Sequence, residues 1–184
     1  MIVVEGMDNS GKTTLVQQIS SRFNIQIQPS LGPPTPEKAF QILTEFILAR
    51  DLRVYDRLVA FSDTVYGPPL RQRVVTDPTQ WTWIHRILRT QPFIIYCRPP
   101  TERVLDFGDR GQMDGVVARA KQLLRGYDSL FNSLEDFFGV GSYTTYDYTN
   151  PASEESLWLN LEEYVGRHLD FQSMLDRLDQ GARV

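Results

Sequence analysis

An α/β fold, with a five-stranded parallel sheet layered between helices, is what three features of this 184-residue chain predict. Short β-rich runs alternate with longer helical patterns along the chain. The segment Gly6-Met7-Asp8-Asn9-Ser10-Gly11-Lys12-Thr13 fits the pattern G-x-x-x-x-G-K-[ST] and lies between an apolar strand candidate and a helical pattern. Polar side chains are concentrated in the loops that follow the strand candidates, which is where ligands sit in open α/β sheets.

Taken in order, the strand candidates cover residues 2–5, 25–28, 53–55, 93–97 and 143–146, the second resting on the briefest alternation. Helical periodicity predicts helices over 12–23, 36–49, 77–90, 101–107, 116–138 and 153–168, with a short tail helix over 171–178. Residues 29–36 hold four prolines and a glycine, so an irregular loop is expected there, at the carboxyl end of the second strand. No internal repeat or low-complexity tract interrupts this order, and 184 residues suit one domain, 1–184. Trp81, Trp83 and His85 fall on one helical pattern that packing explains without a ligand.

The net charge of -4 provides no global basic field for a nucleic-acid backbone, so small anionic ligands are favoured over polymers. The single cysteine, Cys97, lies in the apolar run 93–97 with no partner for a disulfide, which fits a reducing cytosol. No apolar stretch approaches the ~20 residues of a membrane span. A cytoplasmic protein that does not contact the membrane is the expectation.

The glycine-rich segment carries the chemistry. Gly6 and Gly11 allow the backbone to curl so that successive N–H groups, with those of Asn9 and Ser10, face an anion, and the helix that follows presents its positive end to the same phosphates. Lys12 supplies a mobile cation, Thr13 a hydroxyl for Mg²⁺, and Thr14 extends the loop, so a nucleoside triphosphate is the expected ligand. Asp56 and Arg57 leave the third strand on the same rim. The aspartate there suits Mg²⁺ and the arginine a bidentate phosphate contact. Gly108-Asp109-Arg110-Gly111-Gln112 breaks two helical patterns and reads as a lid over residues 108–116, delivering Arg110 to the moving phosphoryl group. Arg119, Lys121 and Arg125 follow at helical spacing and fit either that lid or an ordinary solvated face.

Val4-Glu5-Gly6-Met7-Asp8 through Lys12-Thr13-Thr14, joined to Tyr55-Asp56-Arg57 and Phe61-Ser62-Asp63, then Val65-Tyr66-Gly67 and Gln112-Met113-Asp114-Gly115, resembles the thymidylate kinase family, in particular the compact proteins of bacteriophages. The resemblance runs from residue 1 to about 150. It implies a P-loop kinase fold, an acceptor region over about residues 30–70, transfer of the γ-phosphate of ATP to a deoxynucleoside monophosphate with Mg²⁺, and a homodimer. By the same resemblance Lys12 and Thr13 hold the donor phosphates and metal, Asp8 accepts from the sugar 3′-hydroxyl, and Arg57 grips the acceptor phosphate. Members place a catalytic arginine in the loop or in the lid. The loop position here holds Asn9, which leaves Arg110.

The chain departs from the family where Ser30-Leu31-Gly32-Pro33-Pro34-Thr35 replaces a charged Arg-Glu pair, so the acceptor contacts must differ. Phe61 and Tyr66 either line the acceptor base or pack in the core, the commoner fate of aromatics after a strand. Phe46 and Arg50 have the mutual spacing of the family's base-stacking pair, but core packing is the better expectation for Phe46. Near the adenine Asp106 stands where a basic residue is expected, and Arg103 one turn earlier is its substitute. Three alternatives stay open: a deoxynucleoside acceptor, a hydroxymethylated pyrimidine free or in DNA, and an ATPase or switch module. The third lacks a water-poising carboxylate after the run 93–97, which leads into Arg98-Pro99-Pro100.

Overall fold

The computed structural model describes residues 1–30, 32, 35–74, 79–108, 111–137 and 142–181, with side chains through residue 171 and at 173. Strands β1 (Ile2–Glu5), β2 (Gln26–Gln28), β3 (Arg53–Asp56), β4 (Phe93–Cys97) and β5 (Tyr143–Tyr146) form one sheet in the order β2-β3-β1-β4-β5. Every pairing is parallel, with Val3 beside Tyr55 on one side and Ile94 on the other. All five carboxyl ends therefore meet one rim. The chain reverses its direction of travel across the sheet at β1, and this opens a crevice above the β1–β3 boundary.

β1 and β4 are buried throughout, as expected of central parallel strands that read as continuous apolar runs. Their alternating side chains feed two cores. Ile2, Val4 and Ile95 pack with Leu15, Val16 and Ile19 of α1 (Lys12–Phe23) and with Leu157 and Leu161 of α7 (Pro151–Gly181). Val3, Tyr55 and Ile94 face the other layer, formed by α2 (Pro36–Leu48), α3 (Val59–Arg71), α4 (Gln80–Arg89) and α6 (Val116–Leu134). A short α5 (Thr101–Leu105) lies between β4 and α6, and a 3₁₀ turn (Glu135–Phe137) follows α6. The α/β class and the five-stranded parallel sheet agree with the sequence reading, and Phe46 packs in the core against Tyr55. Among the described residues no helix is long and apolar enough to cross a membrane.

Local chemistry sets the element ends. Thr35 caps α2 by accepting from the Lys38 N–H at 3.3 Å, ahead of Pro36 in the first turn. Asn24 closes α1 in the left-handed region. The long helix α7 is anchored at its middle, where the Tyr164 hydroxyl donates to the carbonyl of Met1 at 3.0 Å.

Several elements depart from expectation. α3 has no counterpart in the sequence reading, and it contains Gly67-Pro68-Pro69, residues that ordinarily interrupt a helix. Each proline withholds an N–H from the carbonyl four residues earlier. The helix holds because Val59, Ala60, Phe61, Val65 and Tyr66 are buried against the core. The break expected near residue 170 is absent, and α7 runs on through His168-Leu169-Asp170, where no proline or glycine stops it. α4 begins at Gln80 rather than at 77, a position outside the described residues, and β2 starts at Gln26 rather than 25.

Candidate active site

At the end of β1, Gly6 has φ 140°, and a Cβ there would lie 2.6 Å from the Cys97 carbonyl oxygen and 2.8 Å from Ser10 Oγ. Only glycine lets the loop turn this close to β4. Gly11 has φ 86°, and its Cβ would meet the Tyr148 ring at 2.9 Å, so an aromatic from the loop after β5 rests directly on the start of α1. Free N–H groups of the first turn of α1 then face a cavity of about 270 Å³ lined by Asp8, Lys12, Thr13, Thr14, Asp56 and Arg57 among others.

Lys12 is only 6 % exposed and turns back on the loop, donating to the Met7 carbonyl at 2.5 Å and to Ser10 Oγ at 3.4 Å. Burial, helped by the nearby Arg57 charge, lowers its pKa to about 8. Thr13 Oγ1 donates to Asp56 Oδ2 at 3.3 Å, so two oxygens converge at the cavity wall. A hydroxyl and a carboxylate with room for water and substrate phosphate fit Mg²⁺, which binds few protein oxygens and keeps much of its hydration.

Arg57 leaves β3 in the left-handed region, φ 68°, with its N–H bound to the Val4 carbonyl at 3.0 Å. A non-glycine residue held this way is strained, and such strain gathers at functional sites. The turn aims the guanidinium back across the rim. Its Nη2 pairs with Asp8 Oδ1 and donates to the Tyr66 hydroxyl at 3.3 Å, while Cζ lies 5.1 Å from the centre of the Tyr66 ring. The Tyr66 hydroxyl donates to Asp8 Oδ2 and accepts from the Asp8 N–H, both at 3.1 Å. Burial would raise the Asp8 pKa, but Arg57, Lys12 and Tyr66 outweigh it and hold the carboxylate below its usual range. Arg57 Nε is buried with no partner, a donor still aimed at nothing.

A second cavity, about 300 Å³, adjoins the first and shares Asp8, Ser30 and Arg57 with it. Its far wall holds Ser62, Asp63, Arg71 and Gln112, with Val59 and Met113 as apolar surface. Asp63 is 2 % exposed and pairs with Arg71, whose Nε is also buried without a partner. Ser62 and Asp63 fall within the expected acceptor region and Gln112 within the expected lid, whereas Arg71 has no expected role. Ser62, Asp63 and Arg71 belong to α3, which the glycine and prolines concealed.

Glu5 braces the rim from below. Fully buried, it accepts from the Leu58 N–H at 2.6 Å and the Tyr127 hydroxyl at 3.2 Å, tying β1 to the start of α3 and to α6. Burial raises its pKa from 4.5 to about 7, so folding favours the protonated acid. The contribution of Glu5 to stability is therefore greatest below pH 4.5 and is lost as pH rises through 7. The change is of the order of 3 kcal/mol. Urea melts of wild type and Glu5→Gln across pH 4–8 check this: the stability difference should drift in favour of the variant as pH rises, and a constant difference contradicts it.

The remaining expected site residues fall in several places. Asn9 has φ 67°, and its side-chain amide donates to the carbonyls of Arg103 at 2.8 Å and Asp106 at 2.6 Å. It thus ties the loop to the end of α5 rather than only facing phosphate. Arg103 contributes its carbonyl to that tie, and its side chain is exposed. Arg98 is engaged by Asp128 at 2.8 Å, so it serves as a brace after β4. Phe61 corrects the acceptor-wall expectation: it is wholly buried with its ring 6.0 Å from that of Phe131, because it lies on the core side of α3. Tyr66 does line the second cavity. Arg110 and residue 109 of the expected lid lie outside the described residues, whereas Gly111, Gln112 and Met113 line the second cavity.

With this geometry the fold, a five-stranded parallel sheet with a glycine-rich loop after its first strand, is similar to that of solved kinases. No family model matches the chain. No curated protein sequence matches it significantly. Solved structures do match in fold. YorR from Bacillus subtilis, in complex with phosphorylated GDP, superposes with a TM-score of 0.63 at 16 % identity, over 93 % of this chain and 97 % of that one. Deoxyadenosine kinase from M. mycoides with bound dCTP gives 0.55 at 17 % identity, over 89 % and 100 %. Thymidylate kinase from Candida albicans gives 0.50 at 11 % identity, over 91 % and 92 %. At these identities the likeness is one of fold.

Proposed function

We propose that the chain is an ATP-dependent nucleotide kinase that transfers the γ-phosphate to a deoxynucleoside monophosphate, a pyrimidine nucleotide such as dTMP. The observation that carries this reading is the pair of adjoining cavities, one lined by the phosphate loop and the other by polar groups of α3, meeting at Asp8 and Arg57. Transfer between two phosphates needs alignment and charge stabilisation more than a nucleophile or strong base. Kinases of nucleosides and nucleotides among the proteins of like fold support the class.

In this reading the loop amides and Lys12 hold the donor phosphates, and Thr13 and Asp56 would hold Mg²⁺, which would supply neutralising charge to the phosphates. Arg57 turns from Asp8 toward the acceptor phosphate, with its unused Nε available for a second contact. Asp8, kept ionised, receives the sugar hydroxyl. Tyr148 closes the start of α1 on the donor side. Arg110 is assigned to the transferring group. A cavity of about 300 Å³ lies at the small end for ligand sites and suits a pyrimidine. Arg71 can donate to a base carbonyl while Asp63 accepts from the neighbouring ring N–H, the edge that thymine presents.

One observation favours a second reading. Arg57 is already neutralised by Asp8, and a carboxylate beside the junction suits a deoxynucleoside whose 5′-hydroxyl must lose a proton. An ADP-release assay over dTMP, dCMP, dAMP, dGMP and the four deoxynucleosides separates the two. ADP release should depend on a monophosphate, dTMP giving the highest kcat/KM. Release with deoxynucleosides alone selects the second reading, and equal release with no acceptor rejects both.

A further inference from the structure

A third cavity, about 570 Å³, lies between the end of α5 and the outward face of α6 and shares no lining residue with the two already described. Its apolar surface comes from Leu105, Phe107 and Val117, and its polar rim from Arg119, Lys121 and Arg125. Among the described residues no carboxylate lines it. The buried stripe of α6, with Val116, Leu123 and Tyr127, is used in the core. Val117, Lys121 and Arg125, at i, i+4 and i+8, therefore share the opposite face, where Val117 is 58 % exposed.

Among the described residues six arginines sit within ion-pair distance of a carboxylate and others, Arg86 and Arg89 among them, do not; what sets this cluster apart is that its three cations line one cavity. No ion pair or hydrogen bond among the described residues engages Arg119, Lys121 or Arg125. Like charges at i and i+4 on a helix repel, so Lys121 and Arg125 lie together at a cost that an anion would remove. A chain of net charge -4 that gathers three unpaired cations beside one apolar floor favours a compact polyanion with an apolar part. An extended nucleic acid would meet that net charge along its length.

We infer that this groove is a second nucleotide site, apart from the catalytic cavities, taking a nucleoside triphosphate. Its phosphates meet Arg119, Lys121 and Arg125, and its base lies against Phe107 and Val117. The ligand spans from α5 to α6, the two elements that flank residues 106–115. Such a site would let a triphosphate act on the enzyme without competing for the phosphate loop. The inference stands on the groove alone and does not require the acceptor assignment.

Calorimetric titration of dTTP into the Lys12→Met chain, whose phosphate loop is weakened, tests it. One dTTP should bind per chain, and adding Arg119→Gln, Lys121→Gln and Arg125→Gln together should weaken that binding tenfold or more. Inorganic tripolyphosphate should bind at least tenfold more weakly than dTTP, since it leaves the apolar floor unused. Melting by circular dichroism establishes that the combined variant is folded. Should it not fold, the Lys121→Glu chain replaces it, with the same loss expected. Binding of dTTP that is absent, or indifferent to these substitutions, overturns the inference. So does tripolyphosphate binding as tightly as dTTP, or a thymidine octanucleotide binding more tightly.

Discussion

Replacing Arg57 with glutamine is expected to lower kcat/KM for the acceptor by about 10²–10³-fold, the usual loss on removing one charged donor from a transition-state site. Arg57 is the cation common to both cavities, and its backbone strain fixes where its charge points. Its removal also leaves Asp8 without its ion-pair partner, so the Asp8 carboxyl should become easier to protonate and activity should fall further on the acid side. Lysine should rescue poorly, since a point charge cannot meet Asp8, Tyr66 and a phosphate in one plane. Steady-state kinetics with each substrate varied in turn checks this. The loss should appear with the acceptor varied while the KM for ATP changes little. A loss below threefold would remove Arg57 from the mechanism.

Lys12→Met should combine a loss of turnover with a gain in stability. Burial lowers the Lys12 pKa from 10.5 to about 8, so holding its charge in the folded state costs of the order of 3 kcal/mol at neutral pH. The penalty applies in full below pH 8 and fades as pH rises from 8 to 10.5, where the unfolded lysine also loses its proton. A methionine of similar length avoids it. Thermal melts at pH 7 should therefore place the variant at or above wild type, with the difference shrinking toward pH 10. Turnover should fall about 10³-fold, because the cation that the proposed reading assigns to the donor phosphates is gone. The same shift makes phosphate binding pH-dependent in wild type: ATP restores the charge, so affinity should decline above pH 8. A variant less stable than wild type yet fully active contradicts this account.

What could be read from sequence was what the chain encodes locally. The phosphate loop is eight consecutive residues between a strand and a helix, and Asp56 ends β3 with Arg57 directly after it, so both declare themselves by adjacency. The pairing of Arg57 with Asp8 spans 49 positions and depends on the strand order β3-β1, which no local pattern encodes. Asn9 reaches Arg103 and Asp106 across more than ninety positions for the same reason. The α3 wall of the second cavity is hidden differently. Asp63 and Arg71 meet only if Gly67-Pro68-Pro69 stays helical, and tertiary burial of Phe61, Val65 and Tyr66 overrides that local preference for a break. Phe61 and Tyr66 belong to the same helix but differ in direction, so one fills the core while the other reaches the site. A signal was present in Asp63 itself, a carboxylate amid apolar positions that need a partner when buried.

The claim on which the mechanism rests is that donor and acceptor occupy adjoining cavities joined at Asp8 and Arg57. A crystal structure with adenosine and thymidine linked through their 5′ ends by a pentaphosphate tests it most directly. The account predicts one end of the chain of phosphates on the loop amides and Lys12, thymine against Asp63 and Arg71, and Arg57 on the phosphate nearest the thymidine. Thymidine bound away from α3, or a phosphate chain that bypasses Arg57, would contradict it.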